Sequence, residues 1–321
     1  MNDKPRYVLF TGAGFTANFG GFLAEEMWAQ IFSHKNIQQK QIVKDVFLGD
    51  LNYETVIHNV RDRKDVYNEE DRKLLNDAVE ETYEKLDLIV LERAGKSSIH
   101  IPSLKAFIDR FESGHGYFFT LNQDLFVERK LLGPNFRPGI KSPYERFDPR
   151  IPFKEMKRCK VPSREEIEKH KDQYLCESNL SYIKLHGSQD WLSSTGSGIM
   201  VIGGAKNKQI ENEPILDWYK RVFEDVISRQ SSKILFIGYG FRDEHINDII
   251  INALKKNKTE IFVICPLKPS EFREILKSNK CDDIWNSLTA YYPYKLDTFF
   301  PYNSQDNIML ESLKNSFFGK L

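Results

Sequence analysis

Tyr7-Val8-Leu9-Phe10-Thr11-Gly12-Ala13-Gly14-Phe15-Thr16 is the stretch that decides the fold. A compact apolar run over residues 7–10 stops at a Gly-x-Gly turn, after which Leu23, Met27, Trp28 and Ile31 recur at helical spacing. Strand, glycine loop and helix in that order open a β-α-β unit. The pattern returns along the chain. Residues 117–121 are rich in β-formers and end at Asn122-Gln123-Asp124, residues 182–185 end at His186-Gly187-Ser188, and residues 233–237 end at Gly238-Tyr239-Gly240. A helical pattern over 247–256 and a last strand over 261–265 follow, the latter closed by Pro266. Strands alternating with helices predict an α/β fold: a Rossmann-like parallel sheet with helices on both faces. Ligands bind at the carboxyl ends of the strands in such a sheet, so these polar clusters converge in space although they are scattered in sequence.

Two stretches interrupt that alternation. Over residues 42–112 apolar side chains such as Val79, Tyr83, Leu86 and Val90 recur every three or four positions without strand-like alternation, which predicts a helical insertion. Residues 133–179 carry Pro134, Pro138, Pro143, Pro149, Pro152 and Pro162 with a mixed charge run, which predicts a loop insertion with one helix near Arg164. The expectation is a single domain over 1–321 holding both insertions. Forty-six basic and 46 acidic side chains leave no net field, so direct nucleic-acid binding is not indicated, nor is attraction to an anionic membrane. No apolar run approaches a membrane span and residues 1–6 lack the build of a secretion signal, so a cytoplasmic protein is expected. Cys159, Cys176, Cys265 and Cys281 include no C-x-x-C pair, which argues against a four-cysteine zinc module, and no metal is expected.

Each cluster has a chemical and a structural reading. Glycines at 12 and 14 let backbone amides approach a phosphate at the positive end of the following helix, but a tight turn explains them equally well. Because position 17 is Ala17, the G-x-G-x-x-G dinucleotide pattern is not met. Asn122 offers an uncharged amide to a water or a ribose hydroxyl, and Asp124 offers a carboxylate to a carboxamide N–H; both also suit an Asx turn or a helix cap. His186, leaving a strand before a glycine, suits proton transfer near neutral pH, whereas most single histidines are packed and hydrogen-bonded. Gly238 and Gly240 read as a second backbone cradle, Asp243 as a helix cap, and His245 as pocket wall or packed first-turn side chain.

Taken together and in order, the segments starting at Gly12, Thr120, Lys184 and Gly238 resemble the sirtuin-like (silent-information-regulator-type) superfamily, especially its bacterial branch of NAD hydrolases in anti-phage defence. The resemblance implies that Gly12, Ala13, Gly14 and Thr16 hold the NAD phosphates, with Phe15 counted among the NAD-binding residues. It places Asn122 and Asp124 at the ribose and carboxamide and Gly238, Tyr239 and Gly240 on the adenosine side, with Thr120, Asp243 and His245 as further expected NAD-binding residues. Asn122, His186 and Asp124 are the implied catalytic residues, with His186 as proton acceptor. The implied activity is that of an NAD+ glycohydrolase, with NAD as substrate, acting as an NAD-depleting effector of abortive infection. A homo-oligomer and a separately encoded activator or sensor protein are the implied partners. The missing four-cysteine lobe counts against the alternative of protein deacylation or ADP-ribosyl transfer. Gly240 stands where the defence branch usually has serine. A non-catalytic NAD or ADP-ribose sensor is the remaining alternative.

Overall fold

The computed structural model describes residues 6–114, 116–131, 137–138, 158–176, 180–193, 195–229, 231–303 and 307–319. Its main sheet contains β1 (Tyr7–Thr11), β2 (Gly116–Thr120), the two-residue β3 (Arg137–Pro138), β5 (Leu180–Lys184), β8 (Lys233–Ile237), β9 (Glu260–Ile264) and β10 (Leu288–Tyr292). The strands run in the order β10-β9-β8-β1-β2-β5-β3, and every pairing is parallel. Leaving β3 aside, this is the doubly wound order in which the sheet grows outward from β1 in both directions. Its switch point falls between β1 and β8, where such sheets open a ligand crevice.

Strict alternation along these strands makes two cores. Leu9, Phe118, Tyr182, Leu235 and Phe262 bury on one face, while Val8, Phe10, Phe119, Ile183, Phe236 and Val263 bury on the other. Each such side chain taken out of water contributes about 1.5–3 kcal/mol. The first face is covered by the expected helical insertion. Its helices include α4 (Gln41–Gly49), α5 (Tyr53–Asp62), α6 (Glu69–Ala94) and α7 (Ile101–Asp109), preceded by α1 (Ala13–Ala17), α2 (Ala24–Phe32) and α3 (Lys35–Gln39). Helix α6 starts at a reciprocal Asn68/Asp71 capping box and buries Val79, Tyr83, Leu86 and Val90. The second face is covered by α10 (Pro214–Ile227), α11 (Glu244–Lys256) and α12 (Pro269–Ser278).

Most of the expected proline-rich loop lies outside the described residues. Those that are described include α8 (Arg164–Cys176), the helix anticipated near Arg164, and β4 (Cys159–Lys160). β4 joins β6 (Gly187–Leu192) and β7 (Gly198–Met200) in a second, three-stranded sheet. That sheet, β10 and the helix α14 (Ile308–Phe318) have no counterpart in the sequence reading. The glycine loop also differs, because α1 begins at Ala13 and Gly14 therefore sits in a helical turn. Among the described residues no helix is long and apolar enough to cross a membrane.

Candidate active site

Four segments meet at the carboxyl ends of β8, β1, β2 and β5, which are consecutive in the sheet. Gly12 and Gly14 lie against Gly238: Gly12 N–H donates to Ile237 O at 3.3 Å and Gly14 N–H to Gly238 O at 3.0 Å. A Cβ on Gly238, whose φ is +65°, would fall 2.1 Å from the Phe15 nitrogen, so only glycine fits between the two turns. These glycines therefore answer first to each other. Phe15 N–H is also spent, on Gly12 O at 2.8 Å. The expected cradle thus has three of its amides already paired, and its exposed corner is Ala13.

Asn122 ties the second strand end to the first. Its Nδ2 donates to Gly12 O at 3.0 Å and to Thr16 Oγ1 at 2.9 Å. A carbonyl only accepts, so the amide orientation is fixed and Oδ1 is left as the acceptor. Thr120, bonded through Oγ1 to the Thr11 hydroxyl at 2.8 Å, receives the Asn122 N–H at 3.1 Å and locks the turn. The carboxyl of Asp124 is buried and accepts Phe126 N–H at 2.9 Å, as an Asx turn does. Burial raises its pKa, against the pull of Lys184, the Phe126 amide and the Thr16 hydroxyl. Gln123, overlooked in the sequence reading, donates to Val201 O at 2.7 Å and to His186 O at 3.4 Å, and its own carbonyl accepts from the Tyr83 hydroxyl.

His186 closes the circuit. Its Nε2 lies 3.0 Å from Nε2 of His245, with the rings stacked at 26° and their centroids 5.1 Å apart. Gly187, at φ +75°, turns the chain back immediately after it. Burial pushes the His186 imidazole down to about 3, with Asp243 pulling upward and Lys206 and His245 pushing further down. His245 is pushed down to about 4, again chiefly by burial. Both rings are therefore held in the neutral form at physiological pH, and burial makes each a weaker base than a free imidazole. Asp243 receives Lys206 Nζ at 2.6 Å, and the same amine reaches Glu54 at 2.8 Å. Burial works against ionisation of Asp243, yet His186 and Lys206 hold its carboxyl below the usual range.

The structure thus gathers Gly12, Gly14, Thr16, Thr120, Asn122, His186, Gly238, Asp243 and His245 around one rim. Phe15 and Tyr239 turn inward instead. Phe15 packs on Phe19, Phe118 and Phe126, while Tyr239 packs on Phe10 and Phe241 and donates to Asn247 Oδ1 at 2.8 Å. Either of them can meet a ligand through backbone only. Gly240 is exposed, with nothing nearer to an added Cβ than Arg242 at 3.9 Å. Glu54 and Lys206 join the site from a helix of the insertion and the start of α9 (Lys206–Asn212), with no local signal to mark them.

A doubly wound parallel sheet with polar groups gathered at its switch-point rim is an α/β architecture that binds ligands at that edge. Residues 117–284, just over half of the chain, match the SIR2-like domain, and the chain belongs to that family of NAD-related enzymes. No curated protein matches it.

Proposed function

We infer that the protein is an NAD+ glycohydrolase, cleaving the bond between nicotinamide and ribose to give nicotinamide and ADP-ribose. The observation that carries this reading is the closed circuit of contacts at the rim: Gly238 on Gly14, Gly12 on Asn122, Gln123 on His186, and His186 on His245. The circuit joins the segments that carry the Asn122 amide and the His186 imidazole, and with membership of a family that handles NAD it supports this reading.

The chemistry asks little of such a site. Nicotinamide leaves as a neutral molecule while positive charge moves onto the sugar, so the transition state resembles an oxocarbenium ion. Asn122 Oδ1 would accept a ribose hydroxyl and hold the sugar in its reactive pose, and Asp124 would fix the carboxamide. His186 would take a proton from a ribose hydroxyl or from the attacking water, a contribution typically worth about 100- to 10,000-fold. The exposed corner at Ala13 and the open backbone at Gly240 would meet the phosphates and the adenosine side.

The resemblance to defence NAD hydrolases supports a role in abortive anti-phage defence. Uncontrolled NAD loss kills the host, so the activity needs a trigger, which we assign to oligomer contacts or a separately encoded activator acting through the helical segment 42–112. Incubating the purified protein with NAD tests the reaction. Nicotinamide and ADP-ribose should appear in equal amounts, and Asn122→Ala and His186→Ala should stop their release without unfolding the chain. Full turnover in either variant would refute the assignment. Stoichiometric NAD binding with no nicotinamide released would favour the sensor reading.

A further inference from the structure

We propose that His186, Asp243 and His245 form a binding site for a divalent zinc-type cation, and that the cation, once bound, withdraws His186 from proton transfer. The second half rests on the function proposed above; the first does not.

Each of the three residues offers one ligand atom, and these atoms lie within 4.8 Å of one another. Two nitrogens bound to one tetrahedral ion at about 2.0–2.1 Å stand roughly 3.3 Å apart. The Nε2 atoms of His186 and His245 are already 3.0 Å apart, so joint coordination needs only a few tenths of an ångström of separation. Two imidazoles and one carboxylate with an open fourth position form the donor set of catalytic zinc sites, whereas thiolates are not needed. The absence of C-x-x-C pairs argues against a four-cysteine module and has no bearing on this site.

The local charge suits a cation. Asp243 and Glu54 flank the single amine of Lys206, at 2.6 and 2.8 Å, so two carboxylates share one cationic partner beside the imidazole pair. Lys206 bonds to Asp243 Oδ1, and the second carboxylate oxygen remains available to a metal. Without an ion, one imidazole N–H points at the other ring's lone pair. On coordination that proton moves to Nδ1 of the same ring, so two lone pairs face the ion and no proton is lost. Backbone holds one ligand in place, since His186 O accepts both Val201 N–H at 2.9 Å and the Gln123 amide. In the metal-free site His186 Nε2 is shared with His245 and can be given up to a ribose hydroxyl, whereas a coordinated Nε2 has no lone pair to give.

The test titrates Zn2+ into the metal-free full-length protein against a chromophoric chelator, with folding followed by thermal melting. One equivalent should bind. His245→Gln and His186→Gln should each weaken binding at least about tenfold to a hundredfold, the loss that even an outer-shell change causes. A variant with all four cysteines changed to serine should bind as the parent does. Absence of a stoichiometric site, or equal affinity in both histidine variants while they remain folded, would overturn the proposal. Nicotinamide release is then measured with and without one equivalent of Zn2+. Tight binding that leaves an active enzyme uninhibited would overturn the link to His186, and an inactive metal-free enzyme would count against the hydrolase reading while leaving the metal site standing.

Discussion

One short segment, from Lys184 to Asp190, feeds two polar clusters with opposite properties. His186 faces the rim, where it meets His245. Lys184, Ser188 and Asp190 instead enter a dry network: Lys184 Nζ contacts Glu128 at 2.8 Å, Ser188 at 2.9 Å and Asp124 O at 2.5 Å, and Ser188 in turn donates to Asp190 at 2.5 Å. Close by in sequence to Glu128, Arg129 holds Asp87 through two 2.8 Å bonds, with both side chains buried. Groups of similar polarity thus serve two ends. The network uses charge to fix the β2–β5 strand ends, whereas the rim sets the paired imidazoles of His186 and His245 beside the Asp243–Lys206–Glu54 ion cluster.

Substitutions should separate the two. The largest effect is expected for His186→Ala, which should lower kcat by about 100- to 10,000-fold with little change in melting temperature, measured by nicotinamide release and calorimetry. Lys184→Met should do the reverse. Stranding Glu128 without its partner costs about 3–5 kcal/mol in denaturant unfolding, and adding Glu128→Leu should restore most of the loss. Normal stability with abolished turnover in Lys184→Met would erase the distinction between the clusters.

Smaller changes sharpen it. Gly240→Ser has open space around it and should leave stability within about 0.5 kcal/mol. If its hydroxyl reaches bound NAD, KM should fall about two- to tenfold, the worth of one hydrogen bond. The last effect concerns pH. Burial pushes Glu128 up to about 7 from 4.5, against the pull of Lys184 and helped by Asp190. A carboxyl raised on folding contributes stability in full below its unfolded value and loses it as pH rises through the folded one. The wild type should therefore lose stability relative to Glu128→Gln between about pH 5 and about pH 8, by up to about 3 kcal/mol. No relative change over that interval would show that the network holds Glu128 fully ionised.

The comparison also explains what sequence could reveal. Strand ends were legible because apolar runs of β-formers stop abruptly at Gly12, Asn122, His186 and Gly238, and parallel topology then brings those ends together. Tertiary proximity was not legible. Gly238 lies more than 220 positions from Gly14, so a pattern suited to phosphate binding could not disclose that each glycine is needed to admit the other. Lys184 reads as a polar strand terminus, and its partners Glu128, Ser188 and the Asp124 carbonyl explain its burial. The pairing of His186 with His245 depends on the turn from Gly238 to Asp243 crossing toward β5, which neither segment encodes alone. Strand β10 was missed because Leu288–Tyr292 is only half buried at the sheet edge, without the solid apolar run of the central strands.

The most direct test of the central claim is a crystal structure of His186→Ala with intact NAD. The nicotinamide riboside should lie between Asn122 and position 186, with a ribose hydroxyl on Asn122 Oδ1 and the diphosphate over the Ala13 corner. A dinucleotide seated away from Asn122, or with its adenosine half in that space, would contradict the account.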